Sequence, residues 1–157
     1  MIPLEQKLLE LNMATMSRQL ETTLSEAAAK NLTVAATLEW LTDMELESRR
    51  NRAVERRFKC SRLQAQPSID TFHFHHHKTR SQNKTRILRL LDLSFLAKGT
   101  NLVLIGNPGV GKTFLAKAVG WRACQENQRV VFTTAMDIIA VQISGVTAGR
   151  SGGSRCR

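Results

Sequence analysis

Eight consecutive residues of this chain have the types and order that a polyphosphate group requires. Gly106-Asn107-Pro108-Gly109-Val110-Gly111-Lys112-Thr113 fits G-x-x-x-x-G-K-[ST], the Walker A or P-loop pattern, at every fixed position. Such a loop wraps its backbone N–H groups around phosphate oxygens. Gly106, Gly109 and Gly111 permit positive φ and close backbone approach. Pro108 fixes its own φ and stiffens the turn. Lys112 places a point charge at the β- and γ-phosphates, and Thr113 offers its hydroxyl to Mg²⁺. The chemistry implied is binding of a nucleoside triphosphate with Mg²⁺. Catalytic residues are not identifiable from the pattern.

A phosphate loop needs a strand before it and a helix after it, so that free amides at the helix start face the anion. Asn101-Leu102-Val103-Leu104-Ile105 is a short apolar run of the kind expected for a strand buried on both faces. Residues 114–127, FLAKAVGWRACQEN, read as a helix with Leu115, Val119 and Ala123 on one face. Arg129-Val130-Val131-Phe132-Thr133 reads as a second strand. Thr134, with Asp137 three residues on, resembles a capping box opening a short helix to Val141. Upstream, Asn83 to Lys98 is rich in leucine and reads as one helix stopped by Gly99. The fold class expected is therefore α/β: an α-helical N-terminal domain, then the first part of a parallel-sheet P-loop nucleotide-binding domain.

The N-terminal third carries apolar residues at helical spacing: Leu4, Leu8 and Leu11, then Met16, Leu20 and Leu24, then Leu38, Leu41 and Met44. Asn12 and Asn31 interrupt the pattern, and Thr33 is placed to cap the next helix. The stretch from Ser48 to Leu63 holds Arg49, Arg50, Arg52, Arg56, Arg57, Lys59 and Arg62, with only Val54, Phe58 and Leu63 to anchor it. These seven cations are the candidate DNA-binding residues, because arginine and lysine contacts to phosphates need no base sequence. Pro67 disfavours helix before it and suggests a linker. The organisation expected is a helical interaction and DNA-binding domain over residues 1–66, a partial ATP-binding domain over 67–142, and a flexible Gly/Ser/Arg tail over 143–157.

Net charge supports that division. The chain has 157 residues and a net charge of +10, yet residues 1–48 are net acidic and residues 49–98 carry 13 basic against 3 acidic side chains. A basic block is an electrostatic footprint for phosphate backbones. No stretch approaches a membrane span, and the first residues do not resemble a signal peptide, so a cytoplasmic protein without a membrane partner is expected. Cys60, Cys124 and Cys156 lack metal or disulfide-framework spacing, and reduced thiols are expected. His73, His75, His76 and His77 lie within five positions but have no acidic or cysteine ligands beside them, so they read as an exposed loop rather than a metal site.

Downstream of Thr113 the only acidic residues are Glu126 and Asp137, and neither ends an apolar strand. The order of features nevertheless closely resembles the IstB-like helper ATPases of bacterial insertion sequences, relatives of the DnaC helicase loaders in the AAA+ class. The resemblance rests on the ELESRRNRAVERRFK helix, the SIDTFHF segment, NLVLIGNPGVGKTFLAKAVG and VVFTTAMDII, over roughly residues 1–142. It implies a protein that binds ATP, assembles on double-stranded DNA as an oligomer, and assists a transposase. The family's Walker B acid, sensors and arginine finger have no counterpart here, so an incomplete copy is expected. Alternatives from the sequence are a DnaC-like helicase loader in replication, a small-molecule P-loop kinase, and a non-enzymatic remnant with a vestigial nucleotide loop.

Overall fold

The computed structural model describes residues 2–140. The expected tail of residues 143–157, and the end of the helix expected to run to Val141, lie outside the described residues. The chain forms two compact units, one of residues Met1–Ala53 and one beginning at Val54.

In the first unit, α1 (Leu4–Glu10), α2 (Ala14–Ala29) and the start of α3 (Val34–Ser61) follow the expected punctuation. Asn12 and Asn31 adopt left-handed φ of 58° and 51°. Each is followed by a backbone bond five residues back, Met13 N–H to Leu8 O at 2.8 Å and Leu32 N–H to Ala27 O at 2.9 Å. Both are Schellman caps, in which asparagine tolerates the conformation that most residues avoid. The Thr33 hydroxyl accepts from Ala36 N–H at 3.2 Å, as expected of a cap.

Leu8, Met16, Leu20 and Leu41 form the core of this unit. The buried positions of α2 are Met16, Leu20, Thr23 and Ala27, whereas Leu24 is 48% exposed. A turn of 3.6 residues falls about 0.4 short of a spacing of four, so the stripe alternates steps of four and three, the inward position is Thr23 and a second step of four overshoots. Leu4, Leu11 and Leu38 are likewise exposed.

In the second unit, α3 ends at Ser61, and two 3-10 turns, Ile69–Thr71 and Phe74–His76, lead to α4 (Lys78–Gln82). The single helix expected over Asn83–Lys98 is broken. It becomes α5 (Lys84–Arg89), a 3-10 turn (Leu90–Asp92) and α6 (Ser94–Ala97). Leu93 stands between them, buried and left-handed at φ 55°. Leucines all round define no single inward face, and turning Leu93 into the core interrupts the helix. Gly99 closes α6 with φ 61°, as expected. Then comes α7 (Lys112–Gln125), with Leu115, Ala118, Ala123 and Cys124 buried. Leu63 and Cys124 are fully enclosed, and a side chain at Gly120 would lie 3.2 Å from Leu63 Cδ2. Phe58 meets Trp121 edge to face at 5.3 Å. The Cys124 thiol is free and is pushed up in pKa by burial, against a hydrogen bond from Ser61 and the charge of Arg57.

The expected parallel sheet is not formed. Among the described residues there is no strand, and residues 101–107 and 128–134 carry no regular secondary structure. A strand exists by virtue of its neighbours, which supply ladder hydrogen bonds and cover both faces. Here Val103, Ile105 and Val131 are 73%, 92% and 69% exposed. Phe132 N–H donates to Ser61 O, at the end of α3, at 2.7 Å rather than to a parallel strand. The apolar runs were real, but they make no ladder with each other. The described residues are helical, in place of the expected α/β class. The capping box does form: Asp137 N–H donates to Thr134 Oγ1 at 3.1 Å and opens a helix over residues 135–140. No described helix is long and apolar enough to cross a membrane.

Candidate functional site

Residues 106–113 turn directly into α7. Gly109 and Gly111 take φ of 79° and 83°, where only glycine is unstrained. Gly111 is constrained twice, since a Cβ there would stand 2.7 Å from Phe72 Cε2. It is also the residue from which α7 begins, and no side chain caps that helix. Lys112 folds back over the loop, donating from Nζ to Gly106 O at 2.7 Å and Asn107 O at 2.8 Å. Thr113, at the second helical position, is exposed. Gly106, Asn107, Pro108 and Gly109 are exposed, while Val110 is half-buried.

Behind the loop lies an aromatic platform. Phe72 stacks on Phe114 at 5.4 Å and meets Phe74 edge to face at 4.9 Å. With Leu115 these phenylalanines form the local core, joined by Ile69, Ile87 and Leu104. Arg80 of α4 lies over the Phe72 ring at 4.7 Å. Its guanidinium donates to Val110 O at 3.1 Å, Gly109 O at 3.0 Å and His73 O at 3.2 Å. A cleft of about 490 Å³ opens beside the loop, with Arg80, Arg86 and Lys112 in its walls and no carboxylate among the described residues that line it. Its apolar side is made by Ile87, Leu90 and residues 102–105. Sequence reading found the loop but neither Arg80 nor the phenylalanines. The alternation of Phe72 and Phe74 ahead of a basic residue was the available signal.

The acidic residues downstream are engaged elsewhere. Glu126 pairs with Arg122 at 2.7 Å, and Asp137 bonds the Thr134 hydroxyl at 2.7 Å. That bond, with the Thr134 N–H and the charge of Arg62, holds the Asp137 carboxyl below its usual pKa. The four histidines are exposed, and no cluster of metal-ligating side chains occurs among the described residues.

The seven basic residues of the α3 region fall into three groups. Arg49 bonds Glu45 at 2.9 Å and Asn12 O at 3.0 Å, and Arg52 bonds Glu45 at 3.2 Å and Ser48 O at 3.3 Å. Lys59 pairs with Glu55 at 2.8 Å, and Arg57 is half-buried with its Nη1 enclosed and without a hydrogen-bond partner among the described residues. Arg50 and Arg56 are exposed and form no ion pair among the described residues. Arg62 is exposed just past the helix end, left-handed at φ 60°.

Glu45 is the centre of the first group. It is only 4% exposed, and its Oε2 accepts from Thr15 N–H at 2.8 Å and Met16 N–H at 3.1 Å. These amides belong to the first turn of α2, which has no side-chain cap of its own at Met13. Burial pushes the Glu45 carboxyl up, but bonds from Arg49, Met16 and Thr15, with the charge of Arg49, more than offset it and leave its pKa lowered.

Over residues 6–152 the sequence matches the family described as IstB-like ATP binding protein. The chain belongs to that family. Among IstB-like relatives, a Pseudomonas aeruginosa protein called "Insertion sequence IS21 putative ATP-binding protein" is 34% identical over 137 residues, covering 87% of this chain and 51% of that protein. The protein similarly named for IS5376 in Geobacillus stearothermophilus is 30% identical over 129 residues, covering 82% of this chain and 51% of that protein. This IstB-like chain thus spans about half the length of these curated relatives.

Proposed function

We propose that this chain is an ATP-binding helper of insertion-sequence transposition, acting in the cytoplasm on double-stranded DNA beside a transposase. The observation that carries the nucleotide reading is the Gly106–Thr113 loop. It has two left-handed glycines, no room for a side chain at Gly111, and an uncapped helix beginning at Lys112. Its amides and the first turn of α7 suit a polyphosphate. Lys112 would move its ammonium from Gly106 O and Asn107 O to the phosphates, and Thr113 would hold Mg²⁺, which neutralises phosphate charge when bound. The names of the relatives support ATP and an insertion sequence as the setting.

Residues 1–66 are assigned to partner contact, self-association and DNA, and residues 67–142 to the nucleotide. Arg50 and Arg56, exposed and without an ion pair among the described residues, favour phosphate contacts from the basic helix. With Glu126 and Asp137 engaged in local bonds, ATP binding without appreciable turnover is the expected behaviour of this chain.

Thermal melting with and without Mg-ATP tests the reading. A ligand that binds only the folded state at about 100 times its Kd adds roughly 2.7 kcal/mol. Mg-ATP should raise the Tm of the wild type and leave that of Lys112→Ala unmoved. An unshifted wild-type melt at millimolar ATP refutes the assignment.

A further inference from the structure

We propose that Arg80 is a positioning residue for the phosphate loop, aiming its amides by holding its carbonyls from behind. This deepens the nucleotide reading and rests on it. A trans peptide unit is planar, with C=O and N–H pointing in opposite directions. The Gly109 carbonyl shares its unit with the Val110 N–H, and the Val110 carbonyl shares its unit with the Gly111 N–H. Arg80 bonds both carbonyls, at 3.0 and 3.1 Å, and so turns two consecutive N–H groups to the opposite side of the chain. Gly109 has the freedom that makes such a unit prone to flip, and nothing lies within 4 Å of where its Cβ would be.

Arg80 is itself held. Its guanidinium is stacked on Phe72 and bonded to His73 O, and Phe72 is fixed by Phe114 and Phe74. The order of support runs from the aromatic platform to the guanidinium, from there to two carbonyls, and through them to two amides. A planar fork that stacks and donates to several acceptors is arginine chemistry, which a lysine point charge does not reproduce.

The test compares the wild-type chain, Arg80→Ala, Arg80→Lys and Lys112→Ala, titrated with Mg-ATP and with inorganic tripolyphosphate. Both Arg80 variants should lose affinity for both ligands on the order of tenfold, the scale of a lost charge-assisted hydrogen bond. Millimolar guanidinium should restore Arg80→Ala, and methylammonium at equal concentration should not. A merely structural role would not discriminate between those two cations. If Arg80→Ala does not fold, Arg80→Lys, which keeps the charge and the stem, decides by the same titration. Wild-type affinity in a folded Arg80 variant, or equal rescue by both cations, overturns the proposal while leaving the phosphate loop intact. Failure of the wild type to bind either ligand, or binding unaffected by Lys112→Ala, overturns the underlying nucleotide reading instead.

Discussion

Helices α2 and α7 both begin without a side-chain cap from their own N-cap residue, and the two units treat that deficit in opposite ways. At α2 the chain supplies its own anion: the Glu45 carboxylate, brought from α3, accepts from two first-turn amides and is neutralised by Arg49 and Arg52. At α7 the helix is entered from a glycine loop, and the cations nearby, Lys112 and Arg80, bond backbone carbonyls instead. One helix start is complete within the chain. The other combines amides, dipole and positive charge with no carboxylate among the described residues that line the adjoining cleft, which is the arrangement an external anion needs. The same residue type, arginine, is thus structural at α2 and preparatory at α7.

The contrast can be broken most forcefully at Glu45. Glu45→Ala strands two amides and two guanidinium groups, and should cost about 2–3 kcal/mol, below the usual figure for a buried pair because both arginines are half exposed. A shift of the denaturation midpoint under a few tenths of a kcal/mol would deny Glu45 its role. The pH dependence follows from its lowered pKa. The stabilisation is present at neutral pH and is lost as pH falls below the ordinary carboxylate range through the folded value. Glu45→Gln should lack that acid limb in urea titrations across pH 3–6. Next in size is Gly111→Ala, where the left-handed φ alone costs about 1–2 kcal/mol and Phe72 must also move. It should abolish the Mg-ATP melting shift, whereas Glu45→Ala should keep it. On DNA, Arg50→Ala with Arg56→Ala should flatten the salt dependence by about 2 in log–log slope. Arg49→Ala with Arg52→Ala should lower stability and leave the slope nearly unchanged. Smallest is Thr134→Ala, which removes one hydroxyl cap and should cost about 1 kcal/mol by denaturation.

What could be read in advance was local. The left-handed glycines ahead of α7, the Asn12, Asn31 and Gly99 helix stops, the Thr33 cap and the Thr134–Asp137 box each depend on residues within a few positions of one another. The buried roles of Thr23 and Glu45 could not be read, because they depend on which helix covers which, and spacing by fours placed Leu24 inward instead. Arg80 was hidden for the same reason, since two of its three acceptors lie 29 and 30 residues away. The sheet failed for a related cause. Apolar runs at 101–105 and 129–133 are necessary for strands but do not supply the partners that make a ladder.

The fold-back of Lys112 has a thermodynamic consequence. Its ammonium already donates to two carbonyl oxygens, so a polyphosphate arriving at the loop would exchange acceptors rather than add them. The number of hydrogen bonds to this lysine need not rise, and what changes is the charge on the oxygen receiving them. Calorimetry should therefore find a modest heat of association, with selectivity for triphosphate over neutral ligands set by the difference between a carbonyl dipole and a full negative charge.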